Sequence, residues 1–275
     1  MEIPLSLLKI APFPAGLVAV LREIAGDESS EAAVEAVLTA DKTWSAEVGS
    51  VRSKLLGVPS AKLQSESAKY DIREIAVAVT MHQYLRGALI SKELTRYWRY
   101  LLACGLICRE LSVALNGQPA RAFACGLLHD LGRLTLMAAY PTKYESIFAA
   151  AQSAFGRNEI FNVAAQERLL FGFDRFQTGE WLVQEWNLPA FFRQIAGKFQ
   201  SPNAPTPGDI VTVTRVGCSL TYSLGYGLLL GAPKTPVADL LKRLPFPRGH
   251  NLGSGFSLVR ERTDFVLNRW MKELG

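Results

Sequence analysis

The stretch CGLLHDLGRLTL, Cys125 to Leu136, places a histidine directly before an aspartate. His129 and Asp130 offer an imidazole and a carboxylate, two common donor types for a divalent ion. Neighbouring residues of a helix point about 100° apart, so the pair reaches one ion only at a helix end or kink. Gly132 supplies such an end. Two protein ligands hold an ion weakly, since stable sites use three or more. Any further ligand must come from elsewhere in the chain.

Few residues are available for that role. There are three histidines, His82, His129 and His250, and four cysteines, Cys104, Cys108, Cys125 and Cys218. Cys104 and Cys108 lie one helical turn apart, but Cys125 and Cys218 are far away in sequence. The spacing therefore argues for buried thiols in a reducing compartment more than for a zinc set. The GSG at 253–255 lacks the Lys-Ser/Thr of a phosphate-cradling loop, and no serine sits in a Gly-x-Ser-x-Gly frame. RYWRY, 96–100, mixes arginine with aromatics as base-stacking surfaces do. On a buried helix, Trp98 reads as core.

The elements that must position these groups are helices throughout, and the fold class is all-α. Leu17, Leu21 and Ile24 share a face before Gly26. Ser29 or Ser30 caps a helix with Val34, Val37 and Leu38 inward, and Asp41 opens a third with Trp44, Val48 and Val51. Residues 60–70 read as a polar loop. A helix over 71–90 is apolar around much of its circumference. Another runs from Glu93 to Leu115 and closes at Asn116-Gly117. Pro119 opens a helix to about Asp130, broken at Gly132, and a short one follows to Tyr140. Helices are expected at 142–155 and 158–171. Asp174 with Gln177 resembles a capping box. A linker at 201–209, a helix over 209–230, a loop at 245–255 and a helix over 257–274 complete the chain.

Composition bounds the rest. The 275 residues are 49% hydrophobic and 20% charged, enough to bury a core without disulfides. The formal charge is +5. Residues 232–275 hold eight Lys and Arg against four Asp and Glu. That end reads as a solvated basic surface, with nucleic-acid binding as the alternative. Met1–Leu8 shows no signal-peptide pattern. The most apolar run, 216–232, is shorter than a span and carries four glycines and two tyrosines. The expectation is a cytoplasmic protein without a membrane segment.

The motif AFACGLLHDLGRLTL, 122–136, resembles the central motif of the HD superfamily of metal-dependent phosphohydrolases. It is most similar to the HDOD group, the HD-related output domains of bacterial signalling proteins. The likeness extends to APFPAGLVAVLREIAGD (11–27), DIREIAVAVTMHQYLRGAL (71–89), YWRYLLACGLICREL (97–111) and FGFDRFQTGEWLVQEWNLP (171–189). It covers roughly residues 5–230. It implies a multi-helical HD-domain or phosphodiesterase-like fold. The expected division is an N-terminal helical part at 1–90, an HD-like core at 91–230 and a basic helical extension at 231–275.

Departures from the family pattern bear on mechanism. The histidine that catalytic HD enzymes carry before the motif is replaced by Tyr100, after Trp98-Arg99. The late aspartate falls on Cys218, with Gly217 the next choice. Additional histidines of di-metal relatives fall at Arg175 and near Lys198-Phe199. Tyr100, His129, Asp130, Arg175 and Cys218 thus mark a degenerate metal site with no expected metal, cofactor or catalytic residue. Cations where an ion would sit oppose its binding. Two readings of the His-Asp pair stay open. In one, Asp130 caps the following helix or holds His129. In the other the old site is a pocket in which Arg99, Arg133 and Arg175 receive an anion. The resemblance implies a non-catalytic signalling module that binds a regulatory partner protein, with 1–90 as the partner surface, or a small phosphorylated, nucleotide-like ligand. The alternative is a divergent HD phosphohydrolase acting on a nucleotide or cyclic dinucleotide, with Cys218 as a substituted ligand.

Overall fold

Caps and prolines divide the chain into helices largely where the sequence places them. The structure, a computed structural model, describes residues 10–26, 30–56, 71–89, 91–197, 209–246 and 252–274, and among these no strand occurs. The helices are α1 (Ala15–Ala25), α2 (Glu31–Thr39), α3 (Lys42–Leu56), α4 (Ile72–Ala88), α5 (Ser91–Ala114), α6 (Pro119–Leu128) and α7 (Leu131–Ala139). They continue with α8 (Pro141–Gly156), α9 (Val163–Phe171), α10 (Arg175–Glu185), α11 (Phe192–Ala196), α12 (Ile210–Ser223), α13 (Val237–Leu241) and α14 (Leu252–Leu274). Ser30, Asp41, Asp71 and Asp209 each accept a first-turn backbone N–H. Asp174 and Gln177 form the reciprocal capping box.

Several boundaries differ from the sequence reading. The break after α6 falls at His129-Asp130, and Gly132 lies inside α7. Its requirement is space: a Cβ there would stand 1.8 Å from the Arg175 carbonyl oxygen. α9 starts at Val163, capped by the Asn162 side chain, and not at 158. α12 stops at Ser223, short of residue 230, because Gly225 turns the chain with φ +92°. α14 begins at Leu252, within the expected 245–255 loop. The loop at 60–70, the linker at 201–208, Lys198-Phe199 and His250 lie outside the described residues.

α5 and α6 form the central pair. Gly126 lies against the Cys104 carbonyl, where a Cβ would come within 2.6 Å, and Gly105 faces Phe123 at 3.1 Å. α12 packs on both helices, and α10 packs on α7. Trp98, Tyr97 and Phe123 are fully buried here. α1, α2 and α3 pack around α4, with the Trp44 indole N–H donating to Thr80 at 2.8 Å. α14 crosses α5 and α3, and buries Leu267 and Trp270. Buried Glu74 of α4 pairs with partly buried Arg109 of α5 at 2.9 Å. Burial raises the Glu74 carboxyl to about 7, although Arg109 pulls the other way.

Two stability predictions follow from this packing. Gly132→Ala pushes a methyl into the α10 backbone and should cost about 1–3 kcal/mol. Gly49→Ala in α3, where a Cβ meets nothing within 4 Å, should gain about 0.5–1 kcal/mol. Urea unfolding of both variants checks the contrast. The second concerns pH. An unfolded glutamate ionises near 4.5, whereas folded Glu74 keeps its proton to about 7. Unfolding therefore releases this proton between those values, and stability falls as pH rises through the window. Glu74→Gln should remove a slope on the order of 2–3 kcal/mol, read as the wild-type minus variant difference between about pH 4.5 and 7.5.

Candidate functional site

The junction between α6 and α7 sets the His-Asp pair. α6 ends at Leu128, and Asp130 leaves helical geometry with φ −111° and ψ 23°. His129 Nδ1 lies 2.7 Å from the Gly126 carbonyl oxygen and Nε2 lies 2.8 Å from the Tyr100 hydroxyl. A carbonyl only accepts, so the proton is on Nδ1 and the Nε2 lone pair accepts from Tyr100. Burial lowers the imidazole pKa and raises that of the Tyr100 phenol. Both effects favour this neutral arrangement. Tyr100, in the expected histidine position, satisfies His129 directly.

Asp130 occupies the N-cap position of α7, yet its side chain makes no capping bond. Its carbonyl accepts from the Tyr97 hydroxyl at 2.6 Å. Its carboxylate pairs with the Arg133 guanidinium, Oδ2 to Nε at 3.1 Å, with both side chains about 5% exposed. The angle at that contact does not satisfy a hydrogen bond, so the attraction is one of charge. Arg133 Nη1 is buried with no hydrogen-bond partner. Burial is the largest single influence and works against the Arg133 charge, but Asp130 together with the Tyr144, Tyr222 and Tyr100 hydroxyls outweighs it and holds the pKa well above the usual value.

Arg175 opens α10. Its backbone N–H and Nη1 donate to Glu167 at 3.0 and 3.1 Å, and its guanidinium lies 4.9 Å from the centre of the Phe176 ring. Glu167 is completely buried on α9 and also accepts from the Tyr144 hydroxyl.

A cavity of about 430 Å³ is lined by Tyr100, His129, Asp130, Arg133, Arg175 and Cys218. The structure thus brings together every site residue expected from sequence except Arg99, which is exposed and does not line it. Gly217 instead packs on Cys108, whose Sγ would be 2.4 Å from an added Cβ. Asn162, Ser219 and Tyr222 also line the cavity. Tyr222 meets Tyr100 edge-on, with centroids 5.6 Å apart. Sequence reasoning missed these residues and Glu167. A glutamate on the apolar side of α9 was the one available signal.

The donor set does not fit the hard divalent ion of an HD hydrolase. Such ions take several oxygens. Among the described residues, the one carboxylate lining the cavity is Asp130, already paired with Arg133. The His129 Nε2 lone pair, the imidazole's one free acceptor, is taken by the Tyr100 hydroxyl in this structure.

Comparison with known proteins agrees with this architecture. The HDOD domain family model matches residues 70–202. No curated protein matches the chain. Among solved structures, a provisionally named phosphohydrolase of Shewanella amazonensis is 18% identical with TM-score 0.65, and the match covers 98% of each chain. An HDOD domain protein of unknown function from Geobacter sulfurreducens is 15% identical with TM-score 0.65, over 97% of this chain and 94% of that one. A provisionally named signal transduction protein of Marinobacter aquaeolei is 17% identical with TM-score 0.64. All of this chain is covered, but it spans only 60% of that longer protein. At these identities the likeness establishes the fold. No helix among the described residues is long and apolar enough to cross a membrane. The comparisons thus place an HDOD domain, related to the HD phosphohydrolases, at residues 70–202 of this chain.

Proposed function

We propose that the chain is a non-catalytic HDOD regulatory module whose former catalytic centre receives a small phosphorylated ligand. The observation that carries this reading is Arg133: a buried guanidinium on the wall of a 430 Å³ cavity, with Nη1 lacking a hydrogen-bond partner. A buried donor left unmade costs about 1–3 kcal/mol, and a phosphoryl oxygen would satisfy it in the charge-assisted geometry guanidinium groups favour. Arg175 adds a second cation, and Asn162 and Tyr222 add polar groups on the same walls. The incomplete oxygen donor set argues against hydrolysis. A partner protein at residues 1–90 would then read the occupied state.

The test is calorimetric titration with inorganic phosphate, a nucleoside monophosphate and a cyclic dinucleotide. At least one should bind, and Arg133→Gln should weaken it about 10- to 100-fold, the loss of a hydrogen bond to a charged group. Binding to none, or affinity unchanged by the substitution, would overturn the proposal. Turnover of any of them with Mn²⁺ that disappears in the His129→Ala, Asp130→Ala double variant would replace it with the phosphohydrolase reading.

A further inference from the structure

Two cysteines that are distant in sequence meet behind the cavity. Cys104 lies on α5, one turn after Tyr100, and Cys218 lies on α12. Their sulfurs and a ring nitrogen of His129 lie within 4.8 Å of one another, and all three residues are buried. All four cysteines are buried free thiols, as their spacing suggests, and α12 packs against α5 to close the gap between residues 104 and 218. Cys108 is close as well: burial, with Cys104 and Cys108 alongside, raises the Cys218 thiol pKa well above its usual value.

The cluster has the chemistry of a soft-ion site. In a tetrahedral zinc centre, Zn–S distances of about 2.3 Å and Zn–N distances of about 2.0–2.1 Å place donors roughly 3.5–3.8 Å apart. Separations within 4.8 Å reach that geometry with side-chain shifts of about 1 Å. The imidazole is already oriented, since Nδ1–H donates to the Gly126 carbonyl. Such an outer hydrogen bond fixes the tautomer that presents Nε2 to a metal. Charge is also accommodated. Two thiolates neutralise a divalent ion, while Arg133 and Arg175 are already paired with Asp130 and Glu167.

We propose that Cys104, Cys218 and His129 Nε2 form a Cys₂His site for Zn²⁺. Each thiol loses its proton to solvent on binding, and the Tyr100 hydroxyl yields Nε2 to the ion. Cys218 and His129 line the cavity, so the fourth position opens into it, as in three-ligand zinc centres that keep one position free. The site uses a different donor set from the oxygen-rich HD centre, and it does not rest on the phosphorylated-ligand reading.

The experiment uses the full chain, stripped of metal and titrated with Zn²⁺ against a chromogenic chelator under reducing conditions. One zinc per chain is expected. Cys104→Ser and Cys218→Ser should each weaken it at least about 100-fold, while Cys125→Ser, which replaces a thiol outside the cluster, should leave it unchanged. Titration of the unmodified chain with Co²⁺ should give thiolate-to-cobalt charge-transfer absorption, a readout that survives if a serine variant fails to fold. The proposal is overturned if the unmodified chain takes up no zinc, if zinc persists in both serine variants, or if bound Co²⁺ shows no thiolate band.

Discussion

The site depends on how closely two pairs of helices approach, α6 against α5 and α7 against α10. Gly126 and Gly132 flank the His-Asp pair at three residues before His129 and two after Asp130. Each lies against the backbone of another helix, Gly126 on α5 and Gly132 on α10. A side chain at either position would separate those backbones, because well-packed interiors have little slack. With hydrogen at both, α5 comes near enough for Tyr100 to reach His129 and for Cys104 to stand beside it. α10 brings Arg175 to the opposite wall. Gly179 repeats the arrangement one layer out, with an added Cβ 2.5 Å from the Ala196 carbonyl oxygen. The pair is therefore held by backbone contact on both sides, and its surroundings follow from that.

The charges around it are balanced in a way that residue types alone do not reveal. Arg133 and Arg175 suggest a cationic hole that repels metal ions. In the fold, Asp130 compensates the first and Glu167 the second. Removing one partner of such a buried pair leaves an uncompensated charge, typically at a cost of about 3–5 kcal/mol. What disfavours a hard ion is thus the scarcity of oxygen donors more than repulsion. The pairs also differ. Arg175 gives two N–H groups to Glu167 in good alignment, whereas Arg133 meets Asp130 off-angle and keeps Nη1 unmatched. The unmatched donors of the two pairs are thus on Arg133.

Much of this was legible in the sequence, for identifiable reasons. Amphipathic periodicity and caps mark helices wherever one face is apolar, so α1 to α8 and α10 fall close to expectation. The His-Asp motif and its flanking segments locate the cavity, and five of its lining residues plus Arg133 follow from position in the motif. Misreadings arise where a local signal has a non-local cause. Gly132 looks like a helix stop and is a contact point. Asp130 looks like a cap, and its side chain turns to Arg133. Arg99 neighbours the cavity in sequence but points outward on α5, one residue from Tyr100 and about 100° around the helix. Glu167, Tyr222 and the meeting of Cys104 with Cys218 are tertiary facts, set by how α9 and α12 pack, and no spacing encodes them.

His129 joins two unlike faces of the same cavity. On one side α7 and α10 present guanidinium groups suited to anions. On the other, Cys218 of α12, with Cys104 of α5 behind it, offers thiols suited to soft cations. The imidazole stands between them, with Nε2 accepting from Tyr100, a ring nitrogen within 4.8 Å of the Cys104 and Cys218 sulfurs, and its neighbour Asp130 paired with Arg133. A ligand that draws Asp130 and Arg133 apart acts on the residue covalently next to the imidazole. An ion that takes Nε2 releases the Tyr100 hydroxyl into a cavity it already lines. Were both proposed sites occupied, either event would change the hydrogen bonding seen by the other, and occupancy of the two faces would be linked through one histidine. Linkage of that kind is reciprocal, and the helix junction after Leu128 is where the coupling would be carried.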